Sequence, residues 1–307
     1  VSHSESIASR GGHRALLEVD GVVVRFGGVV AVNEARFDVE AGTVTGLIGP
    51  NGAGKTTCFN VISGLQRPTS GKVWFDGRNV SNTPVHRRSK MGMGRTFQRL
   101  EAFGSLTVRD NVRVAADIHS GALPLRRRSA GKVDIDALLE RVGIAEYARE
   151  RADSIPTGTA RLLELARCLA SQPKLLLLDE PSSGLDETET DDFGDLLRDL
   201  AAEGCAILMV EHDMDLVMGV CDTIHVLDFG SIIAQGDPAA IRNDPAVQKA
   251  YLGYSDEADE GHPVRENHAQ SGGYPGDEYD TSTDLPPVEA TMTLPAVGSG
   301  IGRGERR

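Results

Sequence analysis

Two short stretches of this chain carry side chains suited to phosphoryl chemistry. GPNGAGKTT, from Gly49 to Thr57, fits the pattern G-x-x-x-x-G-K-[ST] at Gly49, Gly54, Lys55 and Thr56. In such a loop the backbone N–H groups curl around phosphate oxygens, and the helix that follows points its positive end at the same anion. Pro50, Asn51, Gly52 and Ala53 fill the loop between the glycines, and Thr57 follows the lysine and the first threonine. Lys55 offers a point charge for the β- and γ-phosphates of a nucleoside triphosphate, and the Thr56 hydroxyl offers a ligand for Mg²⁺. The second stretch, LLLLDE, places Asp179 and Glu180 at the exit of an apolar strand, where open α/β sheets bind their ligands. Asp179 is suited to orient Mg²⁺ through its hydration shell, and Glu180 to polarise an attacking water as general base. The bland alternative is an Asp-Glu pair that only caps a helix; the phosphate loop upstream argues against it.

Three further residues are candidates on weaker grounds. Gln98, in RTFQ, is a neutral side chain able to reach Mg²⁺ or the water, although such a residue is more often simply solvated. His212 ends the apolar run ILMVEH, so its ring could meet a γ-phosphate at the same sheet edge; a lone histidine there is more often structural. Phe26 could stack on an adenine face, and an ordinary core phenylalanine fits its spacing equally well.

The elements that must position these groups alternate along the chain. TVTGLIG before the loop is a β-rich apolar run, and TTCFNVISG after it reads as a helix closed by Gly64. LLEVDGVVVRF and VVAVNEARFDVE read as antiparallel strands, and KVWFDG continues that β-rich region. ARLLELARCLAS and DDFGDLLRDLAAEG read as helices, KLLLLDEP, AILMVEH and TIHVLDFG as strands, and IIAQG as a hairpin-like return. Buried strands alternating with amphipathic helices predict an α/β fold, a mostly parallel sheet with helices on its faces. Residues from about 95 to 170 break this rhythm with TVRDNVRVAADI and VDIDALLERVGI, and are expected to form an inserted helical subdomain.

Composition limits the function. With 307 residues, 40% hydrophobic and 25% charged, the chain can bury a sizeable core in one large domain or two. A net charge of -13 argues against a broad nucleic-acid surface. No run has the length of a membrane span, and the opening residues hold no apolar signal core. Cys58, Cys168, Cys205 and Cys221 lie singly in apolar segments, as reduced, buried cytosolic thiols do, with neither a disulfide framework nor a metal site implied. Residues 1–14 are expected to be disordered. So is the tail 254–307, whose 11 acidic and 4 basic side chains carry -7 of the total charge with little apolar surface to bury. A tethered regulatory role is the less favoured reading of that tail.

The order Phe26, GPNGAGKTT, Gln98, LLLLDEP, SSGLD and His212 resembles the nucleotide-binding subunits of ABC transporters over about residues 16 to 253. Within that superfamily, FGGVVAVN, LIGPNGAGKTTCFNVISG, MGRTFQ, MVEHDMDLVMGVCD and DPAVQKAYLG resemble the ATPases of branched-chain amino acid importers. The resemblance implies a P-loop NTPase core over 15–253 with an antiparallel β subdomain and an inserted α-helical subdomain. It implies ATP and Mg²⁺ as cofactors. Phe26 becomes the adenine-stacking position, Thr56, Gln98 (the Q-loop) and Asp179 the residues around Mg²⁺, Asp179 and Glu180 the Walker B pair, Asp186 the D-loop acid and His212 the switch histidine. It also implies partners: two transmembrane permease subunits, a second homologous ATPase or a second copy of this chain, and indirectly an extracytoplasmic solute-binding protein. The place implied is the cytoplasmic face of the membrane, with GRTFQRLEAFGSLTVRDN as the contact and Phe103 and Leu106 as apolar contributors.

One motif departs from the family. Where a signature near LSGGQ would complete the ATP site of the opposite subunit, this chain reads IPTGTARLLELAR. Only Gly158 keeps its place, with Pro156 and Thr159 in the usual serine and glutamine positions and Thr157 and Ala160 also unusual. A heterodimer with unequal ATP sites is the expectation that follows. The alternatives are a lipid or lipopolysaccharide exporter ATPase, and a regulatory subunit that binds ATP with weak hydrolysis. A soluble ABC ATPase of translation or DNA repair would need a second cassette or a long coiled-coil insertion.

Overall fold

The computed structural model describes residues 15–97, 100–120 and 133–252. Strands β1 (Leu17–Phe26) and β2 (Val29–Val39) pair as an antiparallel hairpin from Leu17↔Val39 to Phe26↔Val29, turning through Gly27 at φ 58°. Strand β3 (Val44–Ile48) is buried throughout and runs into the phosphate loop. Helix α1 (Lys55–Ser63) then ends where Gly64 takes a left-handed φ of 87°, a conformation that glycine adopts without a Cβ penalty. Strands β4 (Ser70–Phe75) and β5 (Arg78–Asn79) join the hairpin in a four-stranded sheet ordered β2-β1-β4-β5.

Helix α2 (Val85–Lys90) and strand β6 (Met93–Arg95) lead to α3 (Val108–Ser120), α4 (Ile135–Arg141), a 3₁₀ turn (Ala145–Tyr147) and α5 (Thr157–Leu169). Val108 and Val112 of α3, Leu139 of α4 and Leu163 of α5 are buried together. The chain continues through β7 (Leu175–Asp179), α6 (Glu187–Ala202), β8 (Ala206–Val210), α7 (Met214–Val220), β9 (Thr223–Asp228), β10 (Ser231–Gly236), α8 (Pro238–Arg242) and α9 (Pro245–Leu252).

The second sheet has six strands ordered β10-β9-β3-β8-β7-β6. Its neighbours are parallel except β10, which returns antiparallel on β9 as the hairpin-like IIAQG suggested. Successive side chains of a strand face opposite ways, and β7 shows the consequence. Leu176 and Leu178 join a core with residues of α5, α6 and α7, whereas Leu175 and Leu177 join one with Phe59 and Ile62 of α1 and valines of β1, β2 and β4. The expected helices on the faces of the sheet and the antiparallel β subdomain are both present, and they divide the two faces unequally. One face carries helices; the other is covered by α1 together with the four-stranded sheet, because that sheet's apolar side also needs a partner. Among the described residues no helix is long and apolar enough to cross a membrane.

Candidate active site

The phosphate loop leaves the C-terminal end of β3, with β9 on one side and β8 on the other. Two of its three glycines answer to close backbone contact. Gly49 (φ 151°) and Gly54 (φ 106°) lie in the left-handed half of conformational space, and a Cβ on either would collide with a carbonyl, that of Leu227 or of Ala31. The loop is also tied to the β9–β10 turn, where the Gly230 N–H donates to the Ala53 carbonyl at 2.9 Å. Lys55, 7% exposed, donates through Nζ to the carbonyls of Gly49 (2.6 Å) and Pro50 (3.1 Å). Burial lowers its pKa, and the negative charges of Glu180 and Asp179 work against that shift. The Lys55 ammonium thus shares one electrostatic field with both carboxylates, although they stand more than a hundred residues away in sequence. Thr56, Asn51 and Gly52 are exposed, and Thr57 is half-buried.

The carboxylates arrive on β7. Asp179, 2% exposed, receives Arg95 Nη2 on Oδ2 at 3.3 Å. Burial raises the Asp179 pKa, and the Arg95 guanidinium opposes the rise. Arg95 also donates to Asn60 Oδ1 (2.9 Å) and Ser63 Oγ (2.7 Å) of α1, and lies against the rings of Phe59 and Phe97. Glu180 turns the chain out of the sheet at φ 50°, a costly conformation for a non-glycine residue, held by its N–H on the Val210 carbonyl at 2.9 Å. Because β7 and β8 pair in register at Asp179↔Val210, Glu180 and His212 emerge side by side, with Glu180 Oε1 and His212 Nε2 3.2 Å apart.

The other candidates lie as follows. Phe26, at the tip of the β1–β2 hairpin, is 52% exposed, which removes the core reading of that residue. Gly158 is buried in the first turn of α5, where a Cβ would come within 2.6 Å of the Gly184 carbonyl. Asp186 is the N-cap of α6: its carboxylate accepts the Glu189 N–H, and the Glu189 side chain accepts the Asp186 N–H. The capping role weighed for Asp179–Glu180 belongs in this chain to Asp186. Gln98 lies outside the described residues, as do 1–14 and 254–307. The four cysteines are free, with Cys58 and Cys221 buried but Cys168, in the last turn of α5, and Cys205, just before β8, only half-buried. Sequence reasoning missed Arg95 and Glu211; the only signal for either was a charged residue closing an otherwise apolar run.

The arrangement is suited to MgATP. Among the described residues no group of three His, Cys, Asp or Glu side chains could cage a metal. Mg²⁺ bound with nucleotide needs less, since it takes one or two protein oxygens and fills its remaining positions with phosphate and water. The Asp179 carboxylate and the Thr56 hydroxyl are donors of that hard, oxygen-only kind.

Comparison with known proteins decides the family. The chain is 41% identical over 249 residues to the high-affinity branched-chain amino acid transport ATP-binding protein LivG of Escherichia coli, covering 78% of this chain and 98% of the relative. The chain belongs to the ATP-binding cassette family of ABC transporters. The family model described as ABC transporter matches residues 32–183 of this cassette, and that described as branched-chain amino acid ATP-binding cassette transporter matches 231–257. BraF of Pseudomonas aeruginosa, named for the same transport, is 41% identical over 251 residues, with 78% and 98% of the two chains covered. The lipopolysaccharide export ATP-binding protein LptB of Haemophilus influenzae is 35% identical over 222 residues, covering 72% and 90%. A crystal structure of an ABC transporter cassette in its ADP conformation superposes with a TM-score of 0.69 at 28% identity, covering 78% of this chain and 99% of that one. A nucleotide-free cassette gives the same TM-score and identity, covering 78% and 100%. The cassette is therefore a nucleotide-binding ATPase of a membrane transporter.

Proposed function

We propose that this cassette is the motor subunit of an importer for branched-chain amino acids or related small polar solutes. It works at the cytoplasmic face of the membrane, beneath two permease subunits. The observation that carries the reading is the convergence of Lys55, Asp179, Glu180 and His212 at one sheet edge, around the phosphate loop. The names of the 41% identical relatives supply the solute class. Lys55 leaves the loop carbonyls to clamp the β- and γ-phosphates, and Phe26 stacks on the adenine. Thr56, Asp179 and Gln98 hold Mg²⁺, which supplies charge neutralisation at the transferring phosphoryl group. Glu180 takes a proton from water as the water oxygen attacks the γ-phosphorus and the bond to the β-phosphate oxygen breaks. His212 orients Glu180 and the γ-phosphate.

Two cassettes close head to tail, so that Thr157, Gly158 and Thr159 of one face the nucleotide of the other, with Asp186 at the same junction. The unusual signature IPTGTA favours a homologous but different second cassette. The permease contact is the stretch GRTFQRLEAFGSLTVRDN, a reading supported by the exposure of Phe103, with Leu106 of the same stretch half-buried. The export reading rests on the 35% identical relative and predicts stimulation by lipid-transporting rather than solute-transporting permeases.

Glu180→Gln is expected to keep nucleotide affinity while turnover falls by about a hundredfold or more. Lys55→Ala is expected to weaken binding itself. Isothermal titration and phosphate release measure both effects, and turnover at the parent rate in Glu180→Gln would overturn the assignment.

A further inference from the structure

Glu211 follows β8 immediately, precedes His212, and is 4% exposed. Its Oε1 accepts both the backbone N–H and the hydroxyl of Ser182, each at 2.8 Å, and its Oε2 accepts the His212 N–H at 3.0 Å. Burying a carboxylate is unfavourable unless strong hydrogen bonds hold it, so a residue that only filled this space would be apolar. What the carboxylate does is join two segments. One is the His212 backbone, whose ring meets Glu180 at 3.2 Å. The other is the turn closed by the Leu185 N–H on the Ser182 carbonyl at 3.0 Å. That turn contains Gly184 at φ 90°, packed against the start of α5: a Cβ on Gly184 would come within 3.2 Å of Thr157 Cγ2, and one on Gly158 within 2.6 Å of the Gly184 carbonyl.

We propose that Glu211 is a positioning residue for ATP hydrolysis, a buried clamp that fixes the Glu180–His212 pair to the Ser182–Leu185 turn. This inference rests on the roles proposed above for Glu180 and His212.

Steady-state hydrolysis of MgATP by the full chain tests it, with kcat and KM resolved and thermal unfolding measured in parallel. In Glu211→Gln an amide nitrogen replaces one acceptor oxygen, so either the Ser182 or the His212 contact is lost. The expected result is kcat lower by about tenfold with KM within about threefold of the parent, since misplacing a catalytic pair slows chemistry more than binding. Ser182→Ala removes only the hydroxyl contact and is expected to lower kcat by about two- to fivefold. A Glu211→Gln protein with the parent kcat overturns the proposal, as does a kcat loss that vanishes once corrected for the folded fraction. If Glu211→Gln does not fold, an unchanged kcat in Ser182→Ala overturns the clamp. Glu180→Gln at parental turnover would refute the general base, whereas parental turnover in Glu211→Gln refutes the clamp alone.

Discussion

His225 joins the two sheets, and its environment makes the joint sensitive to pH. The ring is 1% exposed in β9 and lies against Phe37 of β2, with centroids 5.2 Å apart. Its Nε2–H donates to the Asp38 carbonyl at 3.2 Å, while Nδ1 is buried without a hydrogen-bond partner. A proton on Nδ1 would be a buried donor with no acceptor. Burial accordingly lowers the His225 pKa below its ordinary 6.5, and the Asp38 carbonyl and charge only partly oppose this. The unfolded chain takes up a proton near pH 6.5 where the folded chain does not, so stability is fullest above that pH and falls as pH drops through 6.5 towards the folded value. The slope of that loss cannot exceed about 1.4 kcal/mol per pH unit, the value for one proton. His225→Phe removes the titration and leaves the Asp38 carbonyl without this donor, at a cost of about 1–3 kcal/mol at pH 8. As pH falls below 6.5 the gap between parent and variant should narrow, because only the parent loses stability through this residue. Urea unfolding of both proteins at pH 8, 6.5 and 5.5 measures the gap, and the other titrating groups cancel in the difference. A gap that stays constant, or widens on acidification, would refute the argument.

Two further substitutions probe the packing around the site. Gly158→Ala pushes a Cβ to 2.6 Å from the Gly184 carbonyl, and should cost about 1–3 kcal/mol of stability as overpacking; an unchanged thermal midpoint would show that the turn yields freely. Arg95→Leu takes the cation from Asp179, whose side chain is 3% exposed, and should cost about 3–5 kcal/mol, the scale of an orphaned buried charge. Arg95→Lys should recover only part of this, since a single ammonium lacks the planar fork that reaches Asn60, Ser63 and Asp179 together. Denaturant midpoints for the two variants that fall together with the parent would count against a structural role for the pair.

What was legible in the amino-acid sequence was contiguous. The phosphate loop is nine consecutive residues, and its glycines, lysine and threonine declare their chemistry without a neighbour. The stop at Gly64, the β1–β2 hairpin and the buried run of β7 follow from backbone preferences and side-chain periods that act over a few residues. Even the α6 cap was present as Asp186 and Glu189 three residues apart, although the resemblance drew attention to a different role. The tertiary structure decided everything that depends on which strands adjoin. Placing β8 between β3 and β7 is what brings His212 to Glu180, Arg95 to Asp179 requires β6 beside β7, and the four-stranded sheet shares one face of the six-stranded sheet with α1. A charged residue at the end of an apolar strand has the same local signature whether it meets water or a buried partner. Glu211 and Arg95 therefore became readable only when segments 29 and 84 residues apart were packed together, because hydrogen-bond partners at that separation are set by the packing of the whole sheet and not by the residues beside them.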